Sequence, residues 1–313
     1  MRRLEQLVCP HILKMEPYSS ARLEFKGEAS IFLDANENTI RRRYNRYPDP
    51  LQTNLKRVIQ SLLNLEKGQV FLGNGSDEAI DLLLRIFCVA GQDSIITLPP
   101  TYGMYRISAS LNNIETIEVP LERNYQPNVA AILAAQNERT KILFICSPNN
   151  PTGNDFELNK IEALIEGFEG VVVVDEAYIH FSAQASCVQW IDKYRNLIVL
   201  QTFSKAWGMA GIRFGMALAD SAIIDLFNKV KPPYNVNVLT EEYALNQLQD
   251  LTIFKQDIAS ILMEREDLKT QLTALSCVEK IYPSAANFLL IKIDKANQVY
   301  QYLVDQGIII RNR

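Results

Sequence analysis

The sequence predicts an α/β chain: a mainly parallel sheet with helices on both faces, plus a smaller α+β domain. Three observations carry this expectation. From about Arg46 to Lys231, apolar strand-like runs alternate with helical patterns. The runs are continuous rather than alternating, as in strands buried on both faces. The 313 residues also suffice for one large core and a second, smaller unit.

Residues up to 40 read as an N-terminal arm leading into a short strand, Ser30–Leu33. The predicted sheet strands are the stub Val70–Leu72, then Ser94–Leu98, Ile114–Val119, Lys141–Cys146, Val171–Val174 and Leu197–Gln201. Between the first two, Glu78–Ala90 sets Ile80, Leu83, Leu84 and Phe87 on one helical face. The pattern breaks at Lys231-Pro232-Pro233. Beyond it the sequence predicts a long helix from Val238 to about Leu275, a strand over Asn287–Ile293 and a helix over Lys295–Gln306. Ile308–Ile310 reads as the start of another strand. The expected division is 1–40 (arm and part of the small domain), 41–232 (large domain) and 233–313 (small domain).

Net charge is −4, from 32 basic and 36 acidic side chains, so no general attraction to nucleic acid or anionic membrane is expected. The run Arg41-Arg42-Arg43 is the local exception and reads as a solvated turn. Five scattered cysteines form no CxxC pair, which argues against a disulfide framework and for a reducing cytosol. No signal-peptide core and no membrane-length apolar run is visible. A cytoplasmic location is therefore expected. Only two histidines occur, His11 and His180, and neither lies in a GxSxG or HExxH context. No metal site is expected, and the chemistry is sought in a lysine with an imported cofactor.

Four segments carry that chemistry. Gly73-Asn74-Gly75-Ser76-Asp77 follows a strand and opens a helix, whose free N–H groups suit a phosphate. Taken alone, it reads better as a simple Ser/Asp helix cap. Asp175 ends the run Val171–Val174, at the strand end where open α/β sheets bind ligands. It reads either as a cap or as the partner of a protonated pyridine nitrogen, with Tyr178 one turn on near the ring's oxygen. Ser147–Gly153 is a turn that fixes the amide of Asn150. Thr202-Phe203-Ser204-Lys205 follows another strand, and Arg213 comes eight residues later. Lys205 suits an imine-forming amine and proton carrier, and Ser204 and Arg213 suit phosphate holders.

In that order, and with Tyr102 in Pro100-Thr101-Tyr102, these segments resemble the fold-type I aminotransferases that use pyridoxal 5′-phosphate. The resemblance implies cofactor contacts from Gly75, Ser76, Asp77, Tyr102, Asn150, Asp175, Tyr178, Thr202, Ser204, Lys205 and Arg213. Lys205, Asp175 and Tyr178 would be the catalytic residues. Within that group the chain is most similar to the histidinol-phosphate aminotransferase family. The segments are Pro17-Tyr18-Ser19-Ser20-Ala21-Arg22, Leu33-Asp34-Ala35-Asn36-Glu37-Asn38, Arg46-Tyr47-Pro48-Asp49-Pro50, Gly73–Ile80, Asp175-Glu176-Ala177-Tyr178, Phe203–Arg213 and Ser284-Ala285-Ala286-Asn287-Phe288. This similarity implies a homodimer in which Tyr47 reaches the neighbouring subunit's cofactor phosphate. It places Tyr18, Asn36 and Arg311 at the substrate. The implied reaction passes an amino group between L-histidinol phosphate and 2-oxoglutarate. Where that family continues Asn-Glu-Asn-Pro, this chain has Thr39, which bears on the substrate entrance. The similarity also implies a final strand and helix, with a second anion-binding arginine, beyond Arg313. Threonine-phosphate decarboxylases, aromatic or aspartate aminotransferases, and aminotransferase-like ligand sensors stand as alternatives.

Overall fold

A computed structural model describes residues 2–25, 27, 29–40 and 43–312. A seven-stranded sheet lies at its centre, in the order β1-β7-β6-β5-β4-β2-β3. The strands are β1 (Val70–Gly73), β2 (Ser94–Thr97), β3 (Glu115–Glu118), β4 (Thr140–Cys146), β5 (Val171–Asp175), β6 (Leu197–Thr202) and β7 (Gly215–Ala219). β2 to β6 run parallel, whereas β7 is antiparallel to both β1 and β6. Strands β8 (Val278–Ile281) and β9 (Ile291–Ile293) form a separate antiparallel pair.

The valine run shows why the sheet is buried on both faces. Successive side chains of a strand point to opposite sides. Val172 and Val174 join a core with Leu55, Ile59, Ile161 and Leu164 from the helices Thr53–Leu63 and Leu158–Gly167. Val171 and Val173 join a second core with Leu83, Phe87, Tyr105 and Phe227 from the helices Ser76–Phe87, Met104–Leu111 and Ser221–Val230. Apolar side chains are therefore needed at all four valine positions of β5, 171 to 174.

Several expectations are corrected. β3 lies at the sheet edge with its residues exposed or half-buried, so its run was not a doubly buried strand. Ser30–Leu33 forms no strand; Ile31 and Leu33 are exposed, and no neighbouring backbone pairs with them among the described residues. Ile308–Ile310 likewise runs without strand pairing. The long helix divides into Val238–Gln247 and Leu251–Thr273 because Asp250 takes an extended backbone and caps the second with its side chain on Thr252 N–H. The strand expected over Asn287–Ile293 is only its last three residues. β7 and β8 were not foreseen. β7 reads Gly-Met-Ala-Leu-Ala, which lacks β-branched residues, and β8 is half polar. Arg41 and Arg42 lie outside the described residues; Arg43 pairs with Glu242 at 3.0 Å.

Candidate active site

The carboxyl ends of β4, β5 and β6 and the loop after β1 face one cleft of about 180 Å³, open to solvent. Its walls include Gly75, Ser76, Asp77, Tyr102, Asn150 and Asp175. Tyr178, Thr202, Ser204, Lys205 and Arg213 complete them. Every cofactor residue expected of the chain's own site is thus brought together.

Asp175 closes the floor. It is 2% exposed, at the last residue of β5. Burial pushes its carboxyl up to about 6; hydrogen bonds from Tyr105 and the Ala177 N–H, and the charge of Lys205, pull the other way. It has no ion-pair partner among the described residues, so a cation entering the cleft would relieve its burial. Lys205 lines the same cleft, with its Nζ 5.6 Å from the centre of the Tyr178 ring. No hydrogen bond or ion pair joins Lys205 to Asp175.

The Asn150 amide donates to the Tyr178 hydroxyl over 3.4 Å. Its neighbour Asn149 fixes the turn: its Nδ2 donates to the Pro100 carbonyl at 2.9 Å, and its Oδ1 accepts from Thr101 at 3.0 Å. Burial raises the Tyr178 phenol above its ordinary range, with the Asn150 bond opposing the shift. A phenol and an amide held together suit a ring oxygen.

The third wall has the chemistry to hold an anion. Gly75, not Ser76, occupies the cap position of the helix Ser76–Phe87, and no side chain caps it. The first N–H groups of that helix therefore face the cleft as donors. Gly75 has φ +74°, and a Cβ there would meet Arg213 Nη2 at 2.7 Å. A Cβ on Gly215 would strike the Ser76 backbone nitrogen, so β7 packs directly against the loop. Arg213 itself has φ +53°, a costly conformation for a side-chain-bearing residue, and its Nη2 lies 3.5 Å from Asp77. Asp77 also accepts from the Tyr102 hydroxyl at 3.1 Å. The Thr202 hydroxyl is already engaged: it donates to the Phe214 carbonyl and accepts from Ser204 N–H.

Four expected residues do not line this cleft: Tyr47, Tyr18, Asn36 and Arg311. Tyr47 is half exposed and stacks on Tyr234 at 4.6 Å, while its N–H donates to Glu37 at 2.7 Å. Tyr18 is 65% exposed, and Asn36 and Arg311 are exposed. The sequence reading missed Tyr105, whose hydroxyl reaches Asp175, and Cys146, which lines the cleft beside it. Tyr105 reads as a core tyrosine, and only its partner reveals it. No cluster of three or more metal-ligating side chains occurs among the described residues, and no helix there is long and apolar enough to cross a membrane.

The arrangement suits a flat cationic ring that carries an oxygen, an amine-reactive carbon and an anionic group. Comparisons with known proteins agree with that chemistry. The family model for class I and II aminotransferases matches residues 23–313. A histidinol-phosphate aminotransferase of Parabacteroides distasonis is 50% identical over 313 residues, covering all of this chain and 91% of the relative. A solved histidinol-phosphate aminotransferase of Clostridium acetobutylicum matches with TM-score 0.78 and 26% identity, over 85% of this chain and 80% of that one. One from Sinorhizobium meliloti, solved with pyridoxal-5′-phosphate, matches in fold with TM-score 0.79 at 24% identity, over 85% of this chain and 74% of that one.

Proposed function

We propose, because the chain belongs to the class I and II aminotransferase family, that it moves an amino group between L-histidinol phosphate and 2-oxoglutarate in histidine biosynthesis. The observation that carries this reading is the 50% identity to a histidinol-phosphate aminotransferase along the entire chain. The enzyme is an aminotransferase and its cofactor is pyridoxal 5′-phosphate.

When bound, the cofactor supplies an aldehyde that takes up amino groups and a ring that withdraws electrons from the substrate's α-carbon. The donors and acceptors around the cleft fit it. In this reading Asp175 holds the proton on the ring nitrogen, since a buried carboxylate there lacks only a cation. Tyr178 and Asn150 hold the ring hydroxyl. The helix N-terminus, Ser76, Ser204 and Arg213 hold the phosphate. Tyr102 covers a ring face, and Asp77 orients both Tyr102 and Arg213. Thr202 orders the backbone before Ser204. Lys205 Nζ would hold the cofactor through its aldehyde carbon, and the free amine would move the proton at the substrate's α-carbon.

The same reading makes the enzyme a cytoplasmic homodimer. Tyr47 lies outside its own cleft, with its backbone fixed by Glu37 and its ring against Tyr234, which suits a residue serving a second copy. Tyr18, Asn36 and Arg311 are proposed to meet the substrate, Arg311 at an anionic group. Both substrates are anions, and a planar guanidinium serves phosphate and carboxylate alike.

The deciding experiment is amino transfer from glutamate to imidazole-acetol phosphate. Efficient transfer is expected. Carbon dioxide release from threonine phosphate, or a preference for aromatic or aspartate substrates, would replace this substrate assignment. Mixing Tyr47→Phe with Lys205→Ala chains tests the shared site: hybrid dimers should bind the cofactor phosphate differently from either parent.

A further inference from the structure

The floor of the cleft contains a contact that the roles above leave unused. The Tyr105 hydroxyl donates to Asp175 Oδ2 over 2.7 Å. Tyr105 is completely buried on the helix Met104–Leu111. Its ring lies flat on Phe144 at 4.6 Å and 10°, and edge-on to Tyr102 at 5.5 Å. The hydroxyl is therefore held in one place. The other carboxyl oxygen, Oδ1, accepts from the Ala177 N–H at 3.2 Å.

We propose that Tyr105 is a positioning residue for Asp175: its hydroxyl fixes the carboxylate's orientation and keeps it ionised, with acceptor capacity left over for the cofactor's ring nitrogen. This rests on the reading of Asp175 given above. A carboxylate has about four acceptor sites, and one donor on each oxygen leaves two free. Phenylalanine would fill the Tyr105 site equally well as packing, so the hydroxyl needs a reason of its own. A buried tyrosine hydroxyl finds a partner, and here the partner is the one carboxyl that must stay charged.

The other groups around Asp175 cannot replace this bond. Asp77 opposes its ionisation, and Lys205 favours it. The Cys146 thiol is pushed up to about 12 by burial, so it stays neutral at physiological pH. Burial also raises the phenols of Tyr102, Tyr178 and Tyr105 itself, so all three remain proton donors. Tyr105 and the Ala177 N–H are the two direct hydrogen bonds that offset the burial of the charge.

The test is the titration of Asp175 in cofactor-free protein, read by carbon-13 NMR of labelled aspartate and assigned with Asp175→Asn. Tyr105→Phe should raise the Asp175 pKa by about one unit or more, the size of one hydrogen bond to a charged group. Cofactor affinity should fall about tenfold, and the pH dependence of the bound cofactor's absorbance should move with the titration. Phe144→Leu, which loosens the ring but keeps the hydroxyl, should lower stability while leaving that titration in place. An Asp175 titration in Tyr105→Phe within a few tenths of wild type would overturn the proposal. Failure of wild type to bind pyridoxal phosphate would instead sink the underlying reading of Asp175.

Discussion

The Arg213 guanidinium lies 3.5 Å from the Asp77 carboxylate on the cleft wall, joining residues 136 positions apart. Both side chains are partly exposed, so the pair is weak. A doubly charged phosphate outcompetes one carboxylate for the guanidinium. Arg213→Met should therefore weaken pyridoxal phosphate binding by about 10- to 100-fold, the size of lost charge-assisted hydrogen bonds. Equilibrium titration of cofactor fluorescence measures this; unchanged affinity would remove Arg213 from the phosphate site.

Among the described residues, Lys205 is the one amine that lines the cleft. Purified enzyme should absorb visible light, and borohydride should fix the cofactor to the chain. Lys205→Ala should retain the phosphate clamp yet show no borohydride-fixed cofactor on mass spectrometry. Covalent cofactor in that variant would transfer the role to another lysine.

Asp175 gives a pH prediction. Burial, the largest influence, raises its carboxyl from 3.8 to about 6 in the folded chain. Between those values the folded state keeps a proton that the unfolded state has lost. Stability of the cofactor-free protein therefore falls as pH rises from about 4 to about 6, and the cost persists above. Two units correspond to roughly 3 kcal/mol. Asp175→Asn should raise the melting temperature at pH 8, change it little at pH 3, and abolish most transamination. Equal melting at pH 8 would refute the buried charge.

Gly75 combines φ +74° with close approach to Arg213. Gly75→Ala should cost about 1–3 kcal/mol from the backbone conformation alone, since φ +74° with ψ 171° is open essentially to glycine only. It should also displace the guanidinium and weaken phosphate binding. Thermal melting and cofactor titration read the two effects separately.

Glu37 ties the arm to Tyr47. Burial pushes its carboxyl up, but bonds from Arg22, Arg46 and the Tyr47 N–H outweigh this and bring it down to about 2. A depressed carboxyl contributes stability that is lost as pH falls from 4.5 towards 2. Protection from hydrogen exchange around Tyr47, taken relative to the intrinsic rate at each pH, should fall in that window in wild type. In Glu37→Gln that protection should already be low at pH 7.

The sequence by itself determined the strand ends and the residues on them. Four valines in a row read as a strand buried on both faces, with Asp175 at its carboxyl end, and the structure places them so. Gly75, Asn150, Lys205 and Arg213 were legible for the same reason: backbone geometry and local order fix which residue leaves a strand. Pairing was not legible. Ser30–Leu33 and Ile308–Ile310 have strand composition but no partner strand among the described residues, while the alanine-rich β7 is a strand because β1 and β6 flank it. The hydrogen bond from Tyr105 to Asp175 spans 70 residues, and the Asp77–Arg213 pair spans 136. Such contacts depend on which helices and loops the folded sheet brings together, and no local pattern encodes that. Strand formation and chain reversal are short-range events, whereas the electrostatic setting of a buried carboxyl is a property of everything packed around it.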